Sequence, residues 1–417
     1  MKNNGNMDDQ DTKWLPALIV LPEVWEELRE TEAPVEVICE VRKGFKAEDV
    51  QKVLEELGIQ TRPQHTDYYV FATLSDVKDA DRIDKTYEDD KRYCIHHVWL
   101  DKKMEPFVKQ SEETINAKPT RQLFAAEGDG VHWAVLDTGI HIGHPQFAAN
   151  KNCHTSRRFD FTGEGLRSVG QHGTHVAGIV QAIAPKVTLY DYKVLGKEGG
   201  TSRMIIQAMH HIRKMNFEAG KVIIHGANLS LGGPAPVGSY GCGWSPECQE
   251  ANRLVNSGVV VCVAAGNDGY QNLATVSGKE LRIFRTFMDV GISDPANAEE
   301  VITVGSTHKT RPHTFGPSYF SSKGPTGDGR YKPDCLAPGE KIVSAKAYGE
   351  EMTMSGTSQA TPHVSGAIAL FLSAKPEFKG RAREVKKILM SSCTDLNRDR
   401  YFQGAGMIDV LRMVQAV

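Results

Sequence analysis

A chain of 417 residues with 40% hydrophobic and 24% charged side chains can bury a large core, and its length argues for two domains. A formal net charge of −3 gives no electrostatic case for nucleic acid or an anionic membrane as partner, and no run approaches the roughly 20 apolar residues that span a bilayer. The polar N-terminus and the short stretch LPALIVLP, broken by Pro16 and Pro22, do not make a signal peptide, so a cytoplasmic protein with its eight scattered cysteines reduced is expected.

In chain order, residues 1–32 read as an N-terminal extension. VEVICEV at 35–41 alternates apolar and polar as a half-buried strand does, and KAEDVQKVLEELG at 46–58 has helical spacing ending in glycine. DYYVFATL at 67–74 predicts a strand, SDVKDADRIDKTYEDD at 75–90 a polar helix capped by Ser75, and YCIHHVWL at 93–100 another strand. Residues 33–108 therefore predict a small α+β module. The segment from 104 to 120 is polar and aperiodic, and 109–120 is taken as a linker.

From 121 to 417 the texture is α/β: strands such as VHWAVLD, TLYDYKVL, VVVCVAAGN and VITVGST alternate with helices such as HGTHVAGIVQAI and SRMIIQAMHHIRKM. Such alternation predicts a mostly parallel sheet with helices on both faces, and sites that gather at the carboxyl ends of its strands. Cys262, inside VVVCVAA, is expected to be a buried, inert thiol. Cys242 and Cys248, in GCGWSPEC, read as loop thiols, with a disulfide or a metal site as alternatives, though nothing nearby completes a zinc set.

Three phrases carry chemistry. VLDTGI at 135–140 holds Asp137, QHGTHVAG at 171–178 holds His172, and SGTSQATPHVSG at 355–366 holds Ser358. A serine hydroxyl is a weak nucleophile until an imidazole takes its proton and a carboxylate fixes that imidazole's tautomer, and all three parts are present. His172 opens a predicted helix in which Gly173, Ala177 and Gly178 permit close packing. Ser358 enters a second helix, where Pro362 fits a first turn and the N-terminal N–H groups face a developing oxyanion. ANLSLGGP at 227–234 offers Gly232 and Gly233 for close approach of a peptide backbone. A single DTG lacks the second carboxylate of an aspartic peptidase, and neither HExxH nor GxSxG occurs around these residues. His175, His363 and the pairs His96–His97 and His210–His211 read as structural.

The three phrases in this order, with SSKGPTGDGRYKPDCLAPG at 321–339, resemble the subtilisin-like serine peptidases over about residues 115–417. The resemblance implies a three-layer subtilisin-like fold and serine endopeptidase activity on polypeptide substrates. Ser358 would be the nucleophile, His172 the base and then the acid, Asp137 its orienting partner, and Asn267 of AAGNDG the oxyanion donor. Ser230, Leu231 and Gly232 would form one wall against the substrate, and Gly196, Gly199 and Gly200 of LGKEGGT the other. Residues 33–108 resemble the family's inhibitor-type, ferredoxin-like propeptide. That implies a self-inhibited zymogen, its own prodomain a partner in the cleft until cleavage within 104–120.

Two departures qualify the likeness. Only APKV separates HGTHVAGIVQAI from TLYDYKVL, and Gln146 stands where an aspartate ligand is common, so no calcium is expected at the family's high-affinity site and no cofactor is required. Insertions at 233–250 and 270–291 flank the cleft. Lys279, Arg282 and Arg285 in the second read as a solvated charged loop, the alternative being a preference for acidic substrates. The competing functional readings are a catalytically silent peptide-binding or scaffold protein and a narrow maturation peptidase.

Overall fold

The computed structural model describes residues 19–31, 33–63, 66–88, 93–101, 108–277 and 280–417. The chain divides into two compact units, 1–105 and 106–417. The first contains α1 (Pro22–Glu30), β1 (Val35–Val41), α2 (Ala47–Glu56), β2 (Gln60–Thr61), β3 (Tyr69–Leu74), α3 (Val77–Asp84) and β4 (Ile95–Leu100). Its strands form an antiparallel sheet in the order β2-β3-β1-β4, so β1 to β4 with α2 and α3 make the expected ferredoxin-like βαββαβ arrangement. Period-two patterning works as read: Val35, Val37 and Cys39 of β1 point into a core shared with Val50, Val53 and Leu54 of α2.

Three local expectations are corrected. Residues 19–30 are part of this unit rather than an extension, because Ile19, Val20, Val24 and Leu28 are buried in its core and Val98 N–H donates to Ile19 O at 2.6 Å. Pro22, read as a break, sits in the first turn of α1, where its missing N–H costs nothing. The cap of α3 is Asp76, whose carboxylate accepts from the N–H groups of Lys78 and Asp79, and α3 itself ends at Asp84. Ser75 instead donates its own N–H to the Asp79 carboxylate.

The second unit runs α4 (Val108–Thr114), α5 (Ala117–Phe124), β5 (His132–Asp137), α6 (Pro145–Asn150), β6 (Cys153–Asp160), α7 (His172–Ile183), β7 (Thr188–Lys193), α8 (Ser202–Glu218), β8 (Gly226–Leu229), α9 (Pro246–Asn256) and β9 (Val260–Ala264). It continues with β10 (Tyr270–Ser277), β11 (Glu280–Phe287), β12 (Ile302–Thr307), α10 (Pro312–Phe315), β13 (Cys335–Pro338), β14 (Ile342–Lys346), β15 (Glu350–Met354), α11 (Thr357–Ala374), α12 (Ala382–Ser392), α13 (Arg400–Gln403) and α14 (Val410–Gln415). Seven parallel strands lie in the order β13-β12-β9-β8-β5-β7-β6. Helices α7 and α11 pack on each other, and α8 packs on α9 as a separate layer. Every residue of β9 is buried, as a strand covered on both faces requires, and each such valine contributes about 1.5–3 kcal/mol. Packing is close enough that a Cβ on Gly226 would lie 2.2 Å from the Trp133 ring.

Strand β5 lies between β7 and β8, so the winding of the sheet reverses at its carboxyl end. Asp137 is its last residue. Residues 109–120 are helical rather than a linker: Ser111, Ile115, Ala117 and Thr120 are wholly buried, and Arg121 donates to the carbonyls of Ala182 and Ile183. The insertion after Asn267 folds into the antiparallel hairpin β10–β11, with Tyr270 paired to Phe287. Lys279, and the side chains of Arg282 and Arg285, fall outside the described part of that hairpin. All eight cysteines are free, and Cys248 is buried in α9 rather than in a loop, whereas Cys242 is half-buried. Burial pushes the Cys262 thiol up to about 12, keeping it protonated and inert as expected. No helix among the described residues is long and apolar enough to cross a membrane.

Candidate active site

Asp137 is fully buried at the end of β5, and its Oδ1 accepts the Thr138 N–H at 2.7 Å. His172 is the first residue of α7, and its Nδ1 lies 2.9 Å from both carboxylate oxygens of Asp137. Glycine is required next to it: a Cβ on Gly173 would sit 2.7 Å from Gly139 O and 3.1 Å from Asp137 Cβ. The start of α7 is thereby pressed onto the loop that follows Asp137. Burial of the His172 ring works against protonation, but the Asp137 charge and hydrogen bond outweigh it and hold its pKa above the usual imidazole value.

Ser358 lies in the first turn of α11, and its N–H has no partner among the described residues. Pro362 is not in that first turn but inside the helix. A proline there lacks the N–H that would bond the carbonyl four residues back, and that carbonyl belongs to Ser358. Ser230 Oγ takes the place of the missing donor, at 2.8 Å from Ser358 O. In return Ser358 Oγ donates to Ser230 O at 3.0 Å, and no hydrogen bond to His172 occurs among the described residues.

Asn267 follows β9 by three residues, and its Oδ1 accepts from Thr357 N at 2.9 Å and Thr357 Oγ1 at 3.2 Å. With the oxygen occupied by the start of α11, the amide is oriented so that Nδ2 is the end left to donate.

The two expected substrate walls differ. Among the described residues no backbone hydrogen bond falls on Leu231 or Gly232, while Gly233 is committed to Asp294 at 3.0 Å and 2.9 Å. Ser230 is 2% exposed, so its side chain supports Ser358 rather than meeting a substrate. Across the cleft, Gly196 and Gly199 exchange both backbone hydrogen bonds, at 2.8 Å and 3.2 Å, and so form a closed turn instead of an open edge. Of the three glycines expected on that wall, only Gly200 keeps its N–H uncommitted among the described residues.

Residues 128–407 match the model of the subtilase family. The chain is 31% identical over 346 residues to serine protease AprX of Bacillus subtilis, covering 76% of this chain and 73% of that one. It is 29% identical over 296 residues to subtilisin DY of Bacillus licheniformis, covering 68% and 90%, and 33% identical over 290 residues to the major intracellular serine protease of Bacillus subtilis, covering 65% and 77%.

The chain belongs to the subtilase family. It is a subtilisin-like serine endopeptidase. Around the catalytic pieces of this subtilase lie residues that motif reading left without a role. Asn228, wholly buried in β8, donates from Nδ2 to Ser230 Oγ at 2.9 Å and accepts from Ser365 Oγ at 2.9 Å, so a chain of hydrogen bonds supports the Ser358 carbonyl. The signal was present in ANLSLGGP, but the need for it arises only where β8 ends beside Pro362. His175 and His363 are pushed down to about 4 by burial. They are therefore neutral at physiological pH: His175 Nε2 lies 3.1 Å from the carbonyls of Ile342 and Met352, and His363 bridges Gln359 O and Ser111 Oγ. Gln146 spends its Nε2 hydrogens on protein acceptors, Gly178 O at 2.8 Å and Gln181 Oε1 at 2.7 Å.

Proposed function

We propose that this subtilase cuts peptide bonds through an acyl-enzyme on Ser358. The observation that carries this reading is His172 Nδ1 held 2.9 Å from both oxygens of a buried Asp137, in a helix packed on the one that carries Ser358 in its first turn. The Ser358 hydroxyl rotates off Ser230 O and gives its proton to His172 Nε2 as Oγ attacks the carbonyl. Asn267 Nδ2 and the Ser358 N–H donate to the oxyanion, and the positive end of α11 favours its charge. His172 then protonates the leaving amine, and afterwards takes a proton from the water that releases the acyl group. Leu231 and Gly232 on one side, with Gly200 opposite, pair with the extended substrate backbone.

The reading extends to the first unit, which acts as a propeptide: its βαββαβ topology supports an inhibitor-type role, and the enzyme is made as a self-inhibited zymogen in the cytoplasm. Cleavage between the units falls before the helices α4 and α5, because cutting within 109–120 requires unwinding buried turns. No calcium binds beside Gln146. The test is incubation of purified wild type and Ser358→Ala with an unfolded protein such as casein, with intact masses followed over time. Wild type fragments casein and loses its first unit, while Ser358→Ala does neither. Equal, undiminished masses for casein and both chains would sink the enzyme and zymogen readings together. Chelation with EDTA leaves the unfolding temperature of wild type unchanged, and a drop reversed by calcium alone would overturn the reading of Gln146.

A further inference from the structure

A cavity of about 500 Å³ opens beside Asn267 and holds two carboxylates that the reaction does not use. One wall is Pro234, Ala235 and Pro236 with Tyr240, and the other carries Asp268 and Asp289. Residues 234–236 prolong the Leu231–Gly232 edge, and Asp268 directly follows Asn267. A peptide lying along that edge with its carbonyl at Asn267 therefore delivers into this cavity the side chain of the residue preceding the bond to be cut.

The charge in the cavity is one-sided. No lysine, arginine or histidine lines it among the described residues. Lys323 pairs with Asp289, but the lysine side chain is only 11% exposed and lies over the Phe402 ring, while that of Asp289 is 76% exposed. Among the described residues the Asp268 carboxylate accepts only from a neutral donor, Gln271 Nε2 at 3.4 Å. One negative charge is thus left uncompensated. The walls are also held in place before any ligand arrives: Tyr240 and Val290, both lining the cavity, have φ of 51° and 55°. Non-glycine residues keep such backbone only where the surroundings impose it.

Resting on the peptidase reading above, we propose that this cavity receives a cationic side chain, so that the enzyme cuts after lysine or arginine. The proline and alanine wall suits the methylene stem, and the carboxylates meet the charged head with charge-assisted hydrogen bonds. An acidic side chain in the same place faces the uncompensated negative charge, which is the reverse of the preference suggested by the arginines of the hairpin.

Fluorogenic peptides that differ only at the residue before the scissile bond, Lys, Arg, Leu or Glu, test the assignment on the processed enzyme. The expected kcat/KM for Lys and Arg exceeds that for Leu by about tenfold or more, with Glu lowest. In Asp268→Asn and Asp289→Asn, made separately, the Lys-to-Leu ratio falls, by about tenfold in the more affected variant. An enzyme that labels with a fluorophosphonate but prefers Leu or Glu, or keeps its wild-type Lys-to-Leu ratio in both variants, overturns the pocket assignment and leaves the peptidase reading intact. An enzyme that neither labels nor cuts any peptide overturns both.

Discussion

The helices α7 and α11 carry the proposed base and nucleophile, His172 and Ser358, in their first turns, and they hold them in opposite ways. At the start of α7 the working geometry already exists: Asp137 grips His172 Nδ1, and Gly173 lets the helix press against the loop after β5. At the start of α11 the helix itself is fixed, through Thr357 N–H on Asn267, but the hydroxyl of Ser358 rests on Ser230 O. The imidazole of His172 is thus fixed by Asp137, whereas the hydroxyl of Ser358 is engaged with the end of β8. The difference traces to Pro362, which frees the Ser358 carbonyl and makes the end of β8 a structural partner of Ser358.

Breaking either end gives effects of graded size. Ser358→Ala lowers kcat by about 10⁶-fold, measured against a peptide substrate. Asp137→Asn costs about 10⁴-fold and also moves the pH profile. A base must be neutral, so activity falls as pH drops through the His172 pKa, which Asp137 holds above the usual imidazole value. Removing that charge leaves burial alone to act, and the acidic limb moves to lower pH. A limb that moves upward contradicts the account. Asn267→Ala lowers kcat by about 10²–10³-fold with KM little changed, because the amide acts on the oxyanion and not on the ground-state peptide.

The smallest effect is the sharpest test of the comparison. Ser230→Ala leaves the Ser358 carbonyl without its donor and costs about 1–3 kcal/mol in urea unfolding. Adding Pro362→Ala restores an N–H to that carbonyl and recovers part of the loss, so the two changes are not additive. Strict additivity would separate Ser230 from Pro362.

The sheet is legible, and the three phrases proposed to carry catalysis stand out, because each depends on local pattern: apolar runs that stop at Asp137 and before Asn267, and glycines beside His172. What escaped depends on partners far apart in the chain. Pro22 looked like a break because its place at the start of α1 shows only when Val24 and Leu28 find the core around Val98. Ser111 and Thr120 looked like linker residues because their burial depends on distant elements, such as His363 of α11. The closed turn at Gly196 and Gly199 has the same composition as an open edge. The pair formed by Ser230 and Ser358 spans 128 residues, and no local window contains both.

The central claim is that Ser358 is a nucleophile activated by His172, and a fluorophosphonate probe followed by peptide mapping tests it most directly. The account predicts a single stoichiometric adduct on Ser358 of the processed wild type, absent in Ser358→Ala and formed far more slowly in Asp137→Asn. A processed wild type that takes no label, or takes it on another residue, contradicts it.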